Sequence, residues 1–457
     1  MKKTLALYGV LLLSACAVGP KYHRPAMNIP AAYEEGNGAW QPARPMPFDH
    51  GAWWRVYDDP VLDALEKQVA VSNQTLKADA AAYREALATV QTAQAGFFPN
   101  VSLNGAGTRA RTHTSTGNAV DLSASASWAP DIWGKIRDAV AEERANAEAS
   151  KADLAAATLS EQAALATDYF QLRATDRLES ILLRIIRADA RNGHIVINQY
   201  KAGTVSRAAV LQARLTLAAA TAQYVSAKAQ RKQLQHALAV LVGRAPADFS
   251  LMPEGGLPLM PAIPSSLPSI LLQRRPDIVA AERRVAAANA AIGVAQTAYF
   301  PDLTLSASGG ASASAVAQLM RTGSEVWSLG PAMALTVFDG GARNAAVRNA
   351  RAAYDQKASL YRETVLTAFQ QVEDGLSTLR LLAMQEKIEN YSADTAKAAQ
   401  KIALNQYDAG TVAYTGVITA ETQALAAEQA VLTVRENCLV ASVQLIAALG
   451  GGWDGQN

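Results

Sequence analysis

NQYKAGTV, residues 198–205, and NQYDAGTV, residues 405–412, are one eight-residue phrase with a single letter changed, 207 positions apart. A second phrase behaves the same way. QAGFFPNVSL at Gln94–Leu103 returns as QTAYFPDLTL at Gln296–Leu305, at an offset of 202. Near Trp133-Gly134 and Asp339-Gly340 the two copies also correspond. Three landmarks in one order define an internal duplication, with repeats at about residues 60–245 and 268–451. The two offsets differ, so the copies are separated by a small insertion between strand and turn.

Working outward from these phrases, no proline lies between Pro130 and Pro246, and none follows Pro331. Gly134 to Tyr200 and Gly341 to Tyr407 are each 66 residues. A continuous helix of that length reaches ~100 Å. Val365, Phe369, Val372, Leu376, Leu379 and Ala383 step by four and three, as do Leu165, Tyr169 and Leu172. This is coiled-coil spacing. The phrase repeated at 198–205 and 405–412 then ends each long helix, with Gly203 and Gly410 suited to the left-handed residue that closes a helix. Pro99 and Pro301 end the preceding helices.

Between the helices the pattern changes to period two. Val120, Leu122, Ala124, Ala126 and Trp128 alternate with Asp121, Ser123, Ser125 and Ser127. The same alternation predicts strands at about 101–111, 119–129, 302–314 and 325–338. Apolar-out, polar-in segments of about ten residues suit a membrane barrel, and a soluble sandwich shares the pattern. Trp128 and Trp327 fit interfacial girdle positions. Each copy therefore reads helix, β-hairpin, long helix, helix.

The N-terminus supplies an address. Lys2 and Lys3 precede an apolar run, Leu5 to Leu13, that is too short to cross a bilayer. Leu13-Ser14-Ala15-Cys16 resembles the bacterial lipobox, so residues 1–15 read as a signal peptide. Cys16 would then carry a diacylglyceryl group and an N-acyl chain. Ala17 in place of aspartate implies delivery to the outer membrane. An ordinary secretory signal with an incidental cysteine is the competing reading. Residues 16–59 form an irregular extension containing Trp40, Trp53 and Trp54. Residues 246–267 form a proline-rich linker, expected as an ordered strap in which Leu251, Leu257, Leu259 and Ile263 could pack. Residues 452–457 are a short tail.

Four strands cannot close a barrel, and an open sheet edge in lipid is forbidden. Two copies would make an eight-strand barrel whose interior side chains fill it, so at least three are favoured. The net charge is +2, and no basic stripe with interleaved aromatics suggests nucleic acid. The five histidines are scattered without metal-ligand spacing. Gly309-Gly310 and Gly340-Gly341 are not phosphate loops, since no Gly-Lys-Ser/Thr follows. No catalytic constellation, metal site or cofactor is expected beyond the lipid on Cys16. Helix carboxylates mostly sit beside Lys or Arg, as solvated faces do.

The ordered set of lipobox, GPKYHRP (Gly19–Pro25), WWRVYDDPVLDAL (Trp53–Leu65), FFP/YFP, DIWGK (Asp131–Lys135), FDGG (Phe338–Gly341) and the duplicated NQYxAGTV resembles TolC-type outer-membrane efflux lipoproteins of the NodT branch. The resemblance covers essentially the whole chain. It implies a homotrimer with a twelve-strand β-barrel in the outer membrane of a Gram-negative cell. A twelve-helix periplasmic α-barrel follows, docked through a periplasmic adaptor to an inner-membrane transporter of the RND or MFS type. The implied role is a passive exit duct for drugs or other toxic small molecules. A duct for protein secretion, or a non-transporting periplasmic scaffold, would share much of the pattern. The resemblance also implies a tip gate. Tyr407 matches a tyrosine that helps hold the closed state, and Tyr200 is its counterpart at the tip in the first copy. The aspartates that often ring the tip fall on Gly416 and Thr419, and on Ala209 and Gln212 in the first copy. An acidic ring is therefore not expected here, and Glu421, two residues on, reads as a solvated helix charge.

Overall fold

The first helix of each proline-free tract has the same length. In the computed structural model α3 spans Lys135–Lys201 and α6 spans Ala342–Asp408, 67 residues each. The structure describes residues 18–30, 32–35, 51–111, 113, 116–261, 275–451 and 453. The readings on residues 1–17, including Cys16, and on Trp40, Ile263 and most of the tail lie outside these. The remaining elements follow the predicted order in both copies. In the first, α1 (Pro60–Ser72) and α2 (Gln74–Ala95) precede β1 (Asn100–Arg111) and β2 (Thr116–Trp128), and α4 (Arg207–Leu241) follows α3. In the second, α5 (Pro276–Thr297) leads to β3 (Asp302–Ala313) and β4 (Glu325–Ala334), and α7 (Tyr414–Ala448) follows α6.

The chain divides into two compact units. One comprises Met1–Met27, Ala80–Ala152 and Val279–Thr364, and holds the sheet. Its four strands lie in the order β1-β2-β3-β4, all antiparallel. The register carries the offset of 202 from β1 to β3 and of 207 from β2 to β4. Asn100 faces Ser127, and its counterpart Asp302 faces Ala334. The insertion between the copies is therefore in the β3–β4 loop. One strand differs from its reading: β4 stops at Ala334 instead of running to about Phe338. Its partner β3 begins at Asp302, directly after Pro301, so the ladder has nothing left to pair beyond Ala334.

In the same unit the GPKYHRP stretch is a strap. The backbone N–H of Val18 donates to Trp133 O at 3.4 Å, and Asn289 donates to Pro20 O at 2.9 Å. Tyr22 donates to Glu282, and Arg24 Nε donates to the Tyr361 hydroxyl at 3.1 Å. The two aspartates of DIWGK and FDGG do the same work in each copy. Asp131 accepts from the backbone of Ile136 and Arg137 and holds the Arg137 side chain at 2.9 Å. Asp339 accepts from Gly341 and Arg343 and holds the Arg343 side chain at 2.7 Å. Both place an anion at a helix N-terminus, where free N–H groups favour it.

The second unit comprises Asn28–Asp79, Asp153–Ile278 and Val365–Asn457. Its core explains the tryptophan-rich stretch. Trp53, Leu62, Tyr169, Phe170, Val443 and Ile446 are fully buried. Trp53 donates to Gln162 at 3.3 Å, the Tyr57 and Ser442 hydroxyls meet at 2.6 Å, and Tyr169 donates to Asp59 at 2.7 Å. Asp59 also caps α1, accepting from Val61 and Leu62, with Pro60 in the first turn. The heptad residues Leu165, Tyr169, Leu172, Val365 and Val372 lie in this interior, each 0% exposed. Helix α7 is apolar and long enough to cross a bilayer by composition, and half of that window is buried inside the chain.

Glu66 was not visible in the sequence as unusual. It is 0% exposed, and neither carboxylate oxygen has a hydrogen-bond partner among the described residues. Burial pushes its pKa up to about 9. Since that value lies above the unfolded one, the folded state keeps the proton while the unfolded state ionises. Stability is then full below pH ~4.5 and falls by ~1.4 kcal/mol per pH unit up to about pH 9. Glu66→Gln is expected to remove that slope. Thermal melts of both chains at pH 5 and pH 8 check this, and parallel shifts would refute it.

Candidate channel surfaces

The sheet has two chemically distinct faces, and the register keeps all four strands in phase. On one face Val101, Ala126, Ala307 and Leu329 form a row, and Leu103, Ala124, Gly309 and Trp327 form the next. Leu303 faces Met333 in a lower row, and Val120 faces Ala313 in an upper one. From Leu303 to Ala313 is ten residues, ~34 Å along a strand. A barrel tilt of about 40° reduces this to ~26 Å, the height of an outer-membrane apolar band. Leu103, Trp327 and Leu329 are 75%, 81% and 76% exposed. So large a contiguous apolar surface marks a contact with something other than water. At the β1–β2 loop end the same face turns polar, with Arg109 beside Asn118 and Arg111 beside Thr116.

The opposite face is hydroxyl-lined. Ser102, Ser125, Ser308 and Ser328 stand in register across the four strands. The outer two pairs are hydrogen-bonded at 2.8 and 2.9 Å. Asp121 accepts from Ser312 on this face at 2.6 Å. Small polar side chains such as these leave room for water. Trp128 is the last residue of β2 and donates to Phe97 O at 2.9 Å. Trp327 lies two residues into β4, after Glu325 at its loop end. Both indoles are on the apolar face, near opposite ends of their strands. Strands β1 and β4 each have an edge with no partner among the described residues.

The second functional feature is the pair of turns. At the first, Gly203 N–H donates to Tyr200 O and Thr204 N–H to Gln199 O, each at 2.9 Å. At the second, Gly410 donates to Tyr407 O at 2.8 Å and Thr411 to Gln406 O at 2.9 Å. This is the Schellman closure, which needs a left-handed residue. Gly203 and Gly410 supply it, with φ of 75° and 72°. The threonine hydroxyls also donate to the Gln199 and Gln406 carbonyls, which accounts for the threonine that both copies of the phrase carry.

Around these turns the candidate gate residues separate. Tyr407 packs edge-on against Tyr414, with centroids 4.9 Å apart. Tyr200 is 45% exposed and has Arg207 where the second copy has Tyr414. Ala209 joins the cluster of Val196, Val210 and Ala213. Gly416 and Thr419 are exposed, and the Thr419 hydroxyl returns to the Thr415 carbonyl at 3.0 Å. Glu421 is not the solvated charge expected from sequence. Its side chain is 16% exposed and accepts from Arg191 at 3.1 Å, because α7 packs beside α3. Asp189 lies in the same region, 1% exposed, with neither oxygen partnered. Burial first, and Glu421 second, raise its pKa. Among the described residues no cluster of three or more His, Cys, Asp or Glu could hold a metal.

Comparison with known proteins is consistent with this geometry. The family model for the outer membrane efflux protein matches residues 65–244 and 267–451, one match per repeat. The toluene efflux pump outer membrane protein TtgF of Pseudomonas putida is 30% identical, over 97% of this chain and 95% of its own. The outer membrane protein OprJ of Pseudomonas aeruginosa is 29% identical over 98% of this chain and 95% of its own. Among solved structures, the outer-membrane channel OprN superposes with a TM-score of 0.85 at 29% identity, covering 96% of this chain and all of that one.

Proposed function

The chain belongs to the outer membrane efflux protein family and serves as an outer-membrane efflux channel, and on that premise we propose that three copies form one exit duct. The observation that carries this is the two-faced sheet with both edges open. Three such sheets close twelve strands, with the apolar band in lipid and the serine rows lining water. The helices of three copies then line a periplasmic tube. A periplasmic adaptor and an inner-membrane transporter complete the pump and supply its energy. The cargo is small and toxic, of the organic-solvent and drug kind that the names of the relatives indicate.

We also propose that Cys16 carries the lipid anchor. Val18 is held at Trp133, just beyond β2. That is the helix-side end of the sheet, and Cys16 is two positions ahead of Val18 in the sequence. Replacing Cys16 by serine is expected to abolish incorporation of labelled palmitate.

Deletion of the gene is expected to sensitise cells to solvents and drugs, with restoration by the full chain. Unchanged susceptibility across a broad panel would sink the efflux reading. At the tip, closure rests on packing and neutral contacts such as Tyr407 on Tyr414. Gly416, Thr419 and Ala209 offer no acidic ring. Cobalt hexammine added from the periplasmic side is expected to block conductance weakly in planar bilayers. Tight block would overturn this account of the gate.

A further inference from the structure

The duplication leaves one junction complete inside the chain and its counterpart open. In the complete junction, the segment after β2 docks on the residues before β3. Trp133 stacks on Phe300 with ring centroids 4.8 Å apart and donates to Pro301 O at 2.8 Å. Further along, Glu148 of α3 pairs with Arg283 of α5 at 3.1 Å. The open counterpart has two halves. Residues before β1 correspond to those before β3, so Phe98 stands where Phe300 does. Phe98 is 72% exposed. The segment after β4 corresponds to the one carrying Trp133. Its aromatic is Phe338, 88% exposed, two positions ahead of the Trp133 equivalent.

Charge repeats the pattern. Carrying the Glu148–Arg283 contact across by the two offsets lands on Asp355 of α6 and Ala81 of α2. One helical turn nearer the sheet on both helices stand Arg351 and Glu85. Both are exposed, and neither side chain has a partner among the described residues. Opposite charges thus fall at facing positions of two surfaces that a single chain cannot bring together.

We propose that a second copy of this chain completes the open junction, with Phe98 of one copy against Phe338 of the next and Glu85 against Arg351. This seam continues from the unpaired β1 and β4 edges into the helices. It rests on the trimeric reading above and specifies which side chains lock it. The contact excludes water at the foot of the barrel, where an unsealed gap would leak.

The test uses the full chain in outer membranes. The Phe98→Cys/Phe338→Cys double variant, treated with a short bismaleimide, is expected to give a covalent three-chain species in denaturing gels. Each single variant gives none, which also controls for Cys16 and Cys438. Glu85→Arg and Arg351→Glu are each expected to reduce the trimer surviving mild heating by roughly fivefold, three seams acting together. The Glu85→Arg/Arg351→Glu double variant returns it toward the wild-type level. A wild-type trimer by native mass whose double cysteine variant never cross-links, and whose charge variants show no rescue, overturns the seam alone. A wild-type chain that is monomeric by native mass overturns the trimeric reading and the seam with it.

Discussion

Replacing Asp176 by alanine is expected to destabilise the helical unit by about 3–5 kcal/mol and to release the linker after α4. The carboxylate is 1% exposed and sits between two guanidinium groups, Arg173 and Arg231, that are themselves nearly buried. It also accepts the Glu254 backbone N–H at 3.0 Å. Arg231 donates to Leu251 O and Arg173 to Met252 O, each at 2.9 Å, while Gln235 donates to Phe249 O at 2.7 Å. One anion thus organises two cations, and together with Gln235 these groups hold four residues of the strap. Without it, Arg231 is left with neutral acceptors, the Leu251 carbonyl and the Gln235 amide oxygen, and Arg173 keeps only the exposed Glu254 as an anion. Thermolysin is expected to cut the variant between Phe249 and Met260 at concentrations that leave the wild-type chain whole. Equal protection and an unchanged denaturation midpoint would refute the role. A triple replacement of Arg173, Arg231 and Asp176 by apolar residues is expected to cost less than the single change, since no unpaired charge remains.

A second large effect is expected from moving one charge by one residue in β1. Leu103→Arg places a guanidinium on the apolar face, in the row with Ala124, Gly309 and Trp327. In lipid that costs about 2–4 kcal/mol per chain near the midplane, and a trimer carries three. Asn104→Arg, on the adjacent residue, enters the hydroxyl-lined face and displaces only the bonds from Asn104 to Ser102 and Ser125. The first variant is expected to lose heat-modifiable assembly in outer-membrane fractions, and the second to retain it. Equal tolerance of both would mean that the Leu103 face does not meet lipid.

The expectation that leucines would seat the linker strap illustrates where a pattern stops being informative. Leu257 does pack, against Ala174, Ile181, Leu425 and Leu432, whereas Leu259 is 89% exposed. The attachment is mainly polar, and its residues are distant in sequence: Asp176 and Arg231 lie 55 positions apart. No periodicity marks such a set. Glu421 went wrong for the same reason. A helix charge looks solvated until the neighbouring helix supplies Arg191.

The amino-acid sequence by itself determined the duplication, the helix–hairpin–helix order, the length of the two long helices, the glycine turns that end them and the parity of the strand faces. Each of these is local or periodic, so it survives without knowledge of neighbours. Tertiary structure decided the rest. Pairing across strands brought four serines into one row and located the repeat insertion in the β3–β4 loop. Packing between helices chose which carboxylates lose water, leaving Glu66 and Asp189 unpartnered while Asp176 became an anchor. The energy of a charge or a hydrogen bond depends on what lies within a few ångströms, and in this chain those neighbours come from segments tens to hundreds of residues away.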